Sequence, residues 1–144
     1  MNLQEIASAL RQRAVSSVEL ASDSLRRIAT LDPKLKAFIT VTAELAQNQA
    51  LQADQELADG KDRGPLHGVP IAVKDVFCTQ GIRTTCGSRL FANHIPERDA
   101  AVVEEIKNHE PAIRNDLVLL YSAQQYDALV SAAGKEQLRA DTLA

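Results

Sequence analysis

The chain has 144 residues, a formal charge of −3 and a 45% share of apolar residues, which is typical of one soluble globular domain and excludes low-complexity classes. It contains no Trp and only two Tyr and three Phe, so aromatic platforms that stack nucleic-acid bases are not expected. The acidic balance also argues against a surface that follows phosphates. We therefore expect no direct nucleic-acid binding.

The first twenty residues, MNLQEIASALRQRAVSSVEL, mix apolar and charged positions and lack the apolar core of a secretory signal. The longest apolar runs have about five residues, far below the roughly 20 that a transmembrane helix needs. Cys78 and Cys86 are too few for a disulfide framework, and the three histidines fit no zinc motif. These features predict a reduced, cytoplasmic protein with no membrane span, no metal and no cofactor.

Two short amphipathic helices are predicted at the start of the chain. Leu3, Ile6 and Leu10 have helical spacing, and a second apolar series begins at Val18 after Ser16-Ser17. Either serine is a good N-cap, and Glu19 then lies in the first turn, where the helix dipole favours it. The Asp32-Pro33 step is expected to end the second helix.

The segment Phe38–Val41 reads as a short strand or as an extended connection, because it is compact and β-branched. A third helix is predicted from about Thr42 to Ala58, with Gly60 just beyond its end. The apolar run Val69–Val73 predicts a strand buried on both faces, within a central sheet covered by helices. A loop is expected over residues 79–88.

Three further helices are predicted in the last third of the chain. Asp99 is a suitable cap for a helix through about Lys107, Pro111 is placed to open a helix over residues 112–123, and Ala133-Gly134-Lys135 precedes the last. The fold class is therefore α/β, rich in helix and with few strands.

Lys74, at the end of the predicted buried strand, is the most chemically suggestive residue. Burial makes a lysine amine easier to deprotonate, so such an amine can act as a base near neutral pH. The simpler interpretation is that Lys74 leaves the core at the strand end and pairs with Asp75 or another carboxylate. Cys78 and Cys86 are better explained as small buried apolar residues than as nucleophiles.

The strings GPLHGVPIAVKD, CTQGIRTTCGSRL and DAAVVEEIK resemble the amidase-signature family, and the helical leader is similar to that family's opening helices. The resemblance covers residues 1–107 and implies a fragment of the amidase-signature fold. It is strongest to the A-subunit branch, whose members hydrolyse glutamine to amidate glutamyl-tRNA(Gln) beside B and C subunits. The resemblance thus implies B and C subunits as partners.

Lys74 matches the lysine that serves as the base in that family. There it acts through a serine joined by a cis peptide bond and, through that serine, on a nucleophilic serine. Both serines belong to a Gly/Ser-rich segment downstream of the lysine, and nothing like GGSSGG occurs in this chain. Ser88, Thr84 and Thr85 do not replace it, so we expect the isolated chain to be inactive.

Residues 108–144 are similar to a different family. EPAIRNDLVLLYSAQQYDAL, followed by GKEQL, resembles the C-terminal part of the flagellar basal-body protein FliL, which implies a helical structural or interaction segment. The predicted seam lies between residues 99 and 109, and an engineered chimera, a natural fusion and a misassembled gene all remain open. A single small fold is the alternative to two partial domains.

Three functional hypotheses follow. The chain is an inactive enzyme fragment, a binding or structural module, or a decoy that competes with a complete A subunit for its partner subunits. An unpaired edge on the strand at residues 69–73 also favours self-association.

Overall fold

The computed structural model describes residues 2–108 and 118–122. Four α-helices and two β-strands follow one another in these ranges, with a short 3-10 helix at Arg89–Phe91 between the first strand and the fourth helix. In chain order the elements are α1 (Leu3–Arg11), α2 (Ser17–Leu35), α3 (Ala43–Ala58), β1 (Pro70–Lys74), α4 (Ala101–Asn108) and β2 (Val118–Ser122). The helix-rich architecture with few strands confirms the predicted fold class.

The first two helices begin at capping boxes. The Asn2 side-chain oxygen accepts a hydrogen bond from the backbone amide of Glu5. The Glu5 carboxylate in turn accepts a hydrogen bond from the backbone amide of Asn2. Ser16 and Glu19 make the same exchange at the start of α2. The hydrogen bonds from the Ser16 backbone and hydroxyl hold the pKa of Glu19 below its ordinary value. Local sequence thus sets both helix starts, and the predicted serine cap of α2 is confirmed at Ser16.

The end of α2 differs from the prediction. The helix runs through Pro33 and ends at Leu35. The residue that caps its C-terminus, Lys36, has a left-handed φ of 50°. The Asp32 carboxylate accepts the amides of Ala37 and Phe38 at 2.6 and 3.0 Å, which stabilises the chain just beyond the helix. Pro33 has no N–H to donate to the preceding turn, and the helix ends two residues after it.

Helices α2 and α3 pack through small side chains. Ala21 of α2 and Ala46 and Ala50 of α3 are fully buried, and larger residues including Leu25 and Phe38 surround them. Alanines let two helix backbones approach closely. The Asp54 carboxylate of α3 also accepts the amides of Ser17 and Val18 at 2.6 and 3.1 Å, so α3 supplies a second cap for α2.

The two strands form a parallel pair in which Pro70 lies opposite Val118 and Lys74 opposite Ser122. The helix predicted over residues 112–123 is therefore wrong at 118–122, because the β-prone run VLLYS pairs with the edge of β1. Residues 109–117 and 123–144, including the helix predicted after Gly134, lie outside the described ranges.

The prediction that β1 is buried on both faces is also wrong. Val73 is buried and packs against Val103 of α4, whereas Ala72 and Lys74 are exposed. The described helices therefore cover one face of the strand and leave the other open. Within the described ranges, no helix combines the length and apolar character needed to cross a bilayer.

The turn before β1 packs tightly against α2 at Gly68. A Cβ added to Gly68 would lie 2.1 Å from Oγ of the fully buried Ser17, whereas one added to Gly81 would meet no heavy atom within 4 Å. Both glycines have nearly the same left-handed φ, 76° and 75°. Substituting each of the two glycines by alanine therefore separates the cost of a steric clash from the cost of backbone strain.

We predict that Gly81→Ala lowers the free energy of unfolding by about 1–2 kcal/mol, the cost of the left-handed backbone alone. Gly68→Ala should cost at least about 2 kcal/mol more, because the clash is added to the same strain. Urea denaturation followed by circular dichroism measures both. Adding Ser17→Ala should recover part of the Gly68→Ala loss, and equal losses for the two glycine variants would contradict the prediction.

Candidate functional site

Lys74 is the last residue of β1 and lies opposite Ser122 of β2 in the parallel register. The carboxyl ends of parallel strands are where α/β folds usually place their sites. The Lys74 side chain is exposed, so the described part of the chain does not provide the desolvated setting that a lysine base requires. In this setting it resembles the solvated strand-end lysine of the simpler interpretation.

Asp75, the next residue, is fully buried. Its Oδ1 accepts the Thr85 amide at 2.8 Å, and its Oδ2 accepts the Thr85 hydroxyl at 2.5 Å and the Gly87 amide at 3.3 Å. An ion pair with Lys74 is not among the contacts of the described residues. The carboxylate instead holds the downstream loop against the end of β1.

The loop over residues 79–88 is ordered by these and further contacts. Its Thr79 and Thr84 are fully buried, and Cys86 adopts a left-handed φ of 49° while its amide donates to the Asp75 carbonyl at 3.0 Å. Arg83 donates to the carbonyl of Ile39 at 3.1 Å, which ties the loop to the segment between α2 and α3. Asp75 and Arg83 thus both contact this loop or its neighbouring segment through hydrogen bonds.

The other sequence-predicted candidates have structural contacts. Ser88 caps the 3-10 helix, where its Oγ accepts the Leu90 amide at 3.2 Å. Cys78 and Cys86 are half-buried free thiols, so the prediction that they are buried apolar residues is only partly met. His94 contacts the edge of the Phe91 ring at a centroid distance of 5.6 Å. None of these observations assigns a nucleophile to Lys74.

A second polar cluster, which sequence reasoning missed, lies where α1, α3 and the 62–67 turn meet. The Arg63 guanidinium pairs with Glu56 of α3, and Arg11 of α1 donates to Asp62 at 2.6 Å. His67 is buried between these pairs, with Nε2 3.5 Å from Glu56 Oε2. The members are far apart in sequence and follow no motif spacing, so only the fold reveals them.

His67 is almost fully buried in the turn that leads into β1. Its Nδ1 accepts the backbone amide of Arg63 at 3.2 Å, so the neutral ring carries its proton on Nε2, toward Glu56. Burial lowers the pKa of His67, and the Glu56 charge only partly opposes this effect. The neutral imidazole is thus part of the folded turn.

The described residues can present an amine at a strand end beside an ordered loop, but they do not complete a catalytic group. No cluster of three or more His, Cys, Asp or Glu residues within ranges 2–108 and 118–122 has the arrangement of a metal site. The chemistry of the site therefore depends on what else lies near Lys74.

Comparison with known proteins gives a consistent result. A sequence profile of the Amidase family matches residues 19–134. The chain is 50% identical over 103 residues to the glutamyl-tRNA(Gln) amidotransferase A subunit from Methylobacillus flagellatus, covering 72% of this chain and 21% of the relative. It is 53% identical over 102 residues to the corresponding protein from Methylococcus capsulatus, covering 71% and 21%.

Solved structures agree on the fold. The peptide amidase of Stenotrophomonas maltophilia matches with a TM-score of 0.70 and 28% identity, over 86% of this chain and 24% of the amidase. The chain spans about a fifth of the length of the curated relatives that it matches. The described fold is thus similar to one part of a much larger domain.

Replacing the Thr85 hydroxyl tests the contact with Asp75. We predict that Thr85→Val lowers the free energy of unfolding by about 1–3 kcal/mol, because it leaves a buried carboxylate oxygen with one fewer donor. Thr85→Ser keeps the hydroxyl and should cost less. Urea denaturation measures both, and hydrogen exchange at the Gly87 amide should accelerate in the valine variant. Equal stability of the two variants would show that the hydroxyl contributes nothing.

The His67 environment predicts a pH dependence. Because the folded state lowers the pKa of this histidine, the unfolded chain binds more protons below its ordinary value of about 6.5. The stabilising contribution is complete above about pH 6.5 and is lost as the pH falls toward the lowered value. Denaturation at a series of pH values from neutral to mildly acidic measures this slope.

His67→Asn is the matched variant, because its side-chain oxygen can accept the Arg63 amide and does not titrate. It should reduce the slope, whereas His94→Asn, at an exposed position, should leave it unchanged. An identical slope in wild type and His67→Asn would rule out His67 as its source.

Proposed function

Since this chain belongs to the Amidase family, we propose that it is the lysine-bearing N-terminal part of an amidase domain like that of the amidotransferase A subunit. The observation that carries the proposal is the roughly half-identical match to A subunits over about 100 residues, combined with the position of Lys74 at the carboxyl end of β1. The substrate class is then a carboxamide, with glutamine as donor and glutamyl-tRNA(Gln) as acceptor.

Lys74 would serve as the base that starts proton removal from a serine hydroxyl. The sequence has no Gly/Ser-rich segment that matches the family's two serines, and Lys74 is exposed in the described structure. A base without a positioned nucleophile contributes no covalent catalysis. The chain alone is therefore proposed to be inactive.

We predict that the purified chain releases ammonia from glutamine, asparagine or simple amides at no more than the rate of a protein-free blank. Lys74→Ala should give the same result, because the lysine has no hydroxyl to activate. A coupled glutamate dehydrogenase assay measures the release. Turnover above the blank that disappears in Lys74→Ala would overturn the proposed inactivity.

The B and C subunits of the amidotransferase are the proposed partners. The similarity to A subunits over 103 residues supports this assignment, since a chain that keeps their packing could occupy the place of a complete A subunit. Co-purification of the tagged chain with coexpressed B and C subunits tests it. Absence of the complex would remove both the partner assignment and the decoy hypothesis.

A second candidate function comes from the resemblance of residues 108–144 to FliL. The string EPAIRNDLVLLYSAQQYDAL favours an interaction segment related to the flagellar basal body. This would divide the chain near the proposed seam at residues 99–109, which lies inside the range 19–134 that the Amidase profile matches. Co-sedimentation of the full chain with purified basal bodies tests the assignment, and a chain that stays in the supernatant would remove this candidate.

A further inference from the structure

The 62–67 turn, which leads from α3 toward β1, closes on its own histidine. The Arg63 amide donates to Nδ1 of His67 at 3.2 Å, and the His67 amide donates to the Gly64 carbonyl at 3.0 Å. A backbone amide can only donate, so Nδ1 must be unprotonated for the first of these hydrogen bonds to form. The closed turn therefore requires the neutral imidazole.

Protonation of His67 removes this hydrogen bond directly. In the neutral ring Nε2 carries the proton, so a second proton has only Nδ1 to occupy, where it displaces the Arg63 amide. The histidine is 3% exposed, and a donor or a charge that stays buried without a partner is costly. Opening the turn to water removes both costs.

Charged groups from three elements face the imidazole. Glu56 of α3 has its Oε2 3.5 Å from Nε2 and also pairs with the Arg63 guanidinium, while Arg11 of α1 and Asp62 of the turn act on the ring from further along the cluster. Helix α2 reaches the end of the turn through the neutral Ser17. The carboxylates favour an imidazolium and the guanidiniums oppose it, so burial remains the largest effect and lowers the pKa of the histidine.

Helix α1 is fastened to the same turn. The Arg11 guanidinium donates to the two carboxylate oxygens of Asp62 at 2.6 and 2.9 Å and to the Gly64 carbonyl at 2.7 Å. The Gly64 amide also donates to Asp62 at 3.0 Å, so the acceptors that hold Arg11 keep their positions while the turn is closed. An open turn therefore loosens the C-terminal end of α1.

We propose that the 62–67 turn is an acid-sensitive latch, which protonation of His67 at Nδ1 opens and which then releases the end of α1. The latch acts by local opening, while α2 and α3 stay packed through their buried alanines. It lies directly before β1 but does not depend on the role proposed for Lys74.

Native-state hydrogen exchange at a series of pH values tests the latch. The protection of an amide, corrected for its intrinsic exchange rate, measures how often its hydrogen bond opens. We expect protection at Arg63 and Gly64 to fall by up to about tenfold for each pH unit below about 6.5, because the open turn binds one more proton. Protection at Gln12 and Ala14, at the end of α1, should fall in parallel.

Low concentrations of urea separate local opening from global unfolding, because sensitivity to urea grows with the surface that opening exposes. The turn amides should be less protected than amides inside α2 and α3 at every pH, and their protection should respond only weakly to urea. Turn amides that share the protection and the urea dependence of the helical amides would overturn the latch, since they would then open only by global unfolding. This comparison uses the wild-type chain alone, so it does not depend on the folding of a variant.

Three variants test the assignment to His67 and the link to α1. His67→Asn keeps an acceptor for the turn and does not titrate, so the fall in the turn's protection with pH should disappear, whereas His94→Asn, at an exposed position, should keep it. Arg11→Met removes the guanidinium that joins α1 to the turn, so the turn should still respond to pH while the end of α1 no longer follows. A pH response that is unchanged in His67→Asn, lost in His94→Asn, or still transmitted to α1 in Arg11→Met contradicts the proposal.

Discussion

The buried carboxylate of Asp75 is the constraint on which the region around Lys74 depends. A charge removed from water is costly unless hydrogen bonds replace its hydration, and here the Thr85 amide, the Thr85 hydroxyl and the Gly87 amide do so. The loop must therefore fold back onto the end of β1. Asp75 is buried in the turn that follows β1, whereas Lys74, the last residue of the strand, is exposed.

The helical layer is joined to this strand through close contacts of small residues. Buried alanines bring α2 and α3 together, Asp54 of α3 caps α2, and Gly68 fits against Ser17. The turn that leads into β1 is thus fixed from the helical side, and His67 is buried within it as a neutral ring. Two separate sets of contacts, one in the turn before β1 and one in the loop after it, determine where Lys74 lies.

This arrangement fixes the backbone at Lys74 while its side chain stays exposed. The contacts that fix the two ends of β1 come from residues 17–87. Burial of the amine and a nearby hydroxyl would have to come from other elements, which the solved relatives contain over a much greater length. The fold can therefore fix the position of Lys74 without supplying the burial and the hydroxyl that would activate its amine.

The sequence by itself determined the starts of α1 and α2 and the bounds of α3, because capping boxes and apolar periodicity act within a few residues. It also identified the family. The end of α2 beyond Pro33 is set by nearby contacts of Asp32 that the sequence analysis missed. Only the tertiary structure decided that VLLYS pairs as a strand and that Lys74 is exposed. These two outcomes depend on a partner distant in the chain and on the number of layers that cover a strand, and local propensity contains neither.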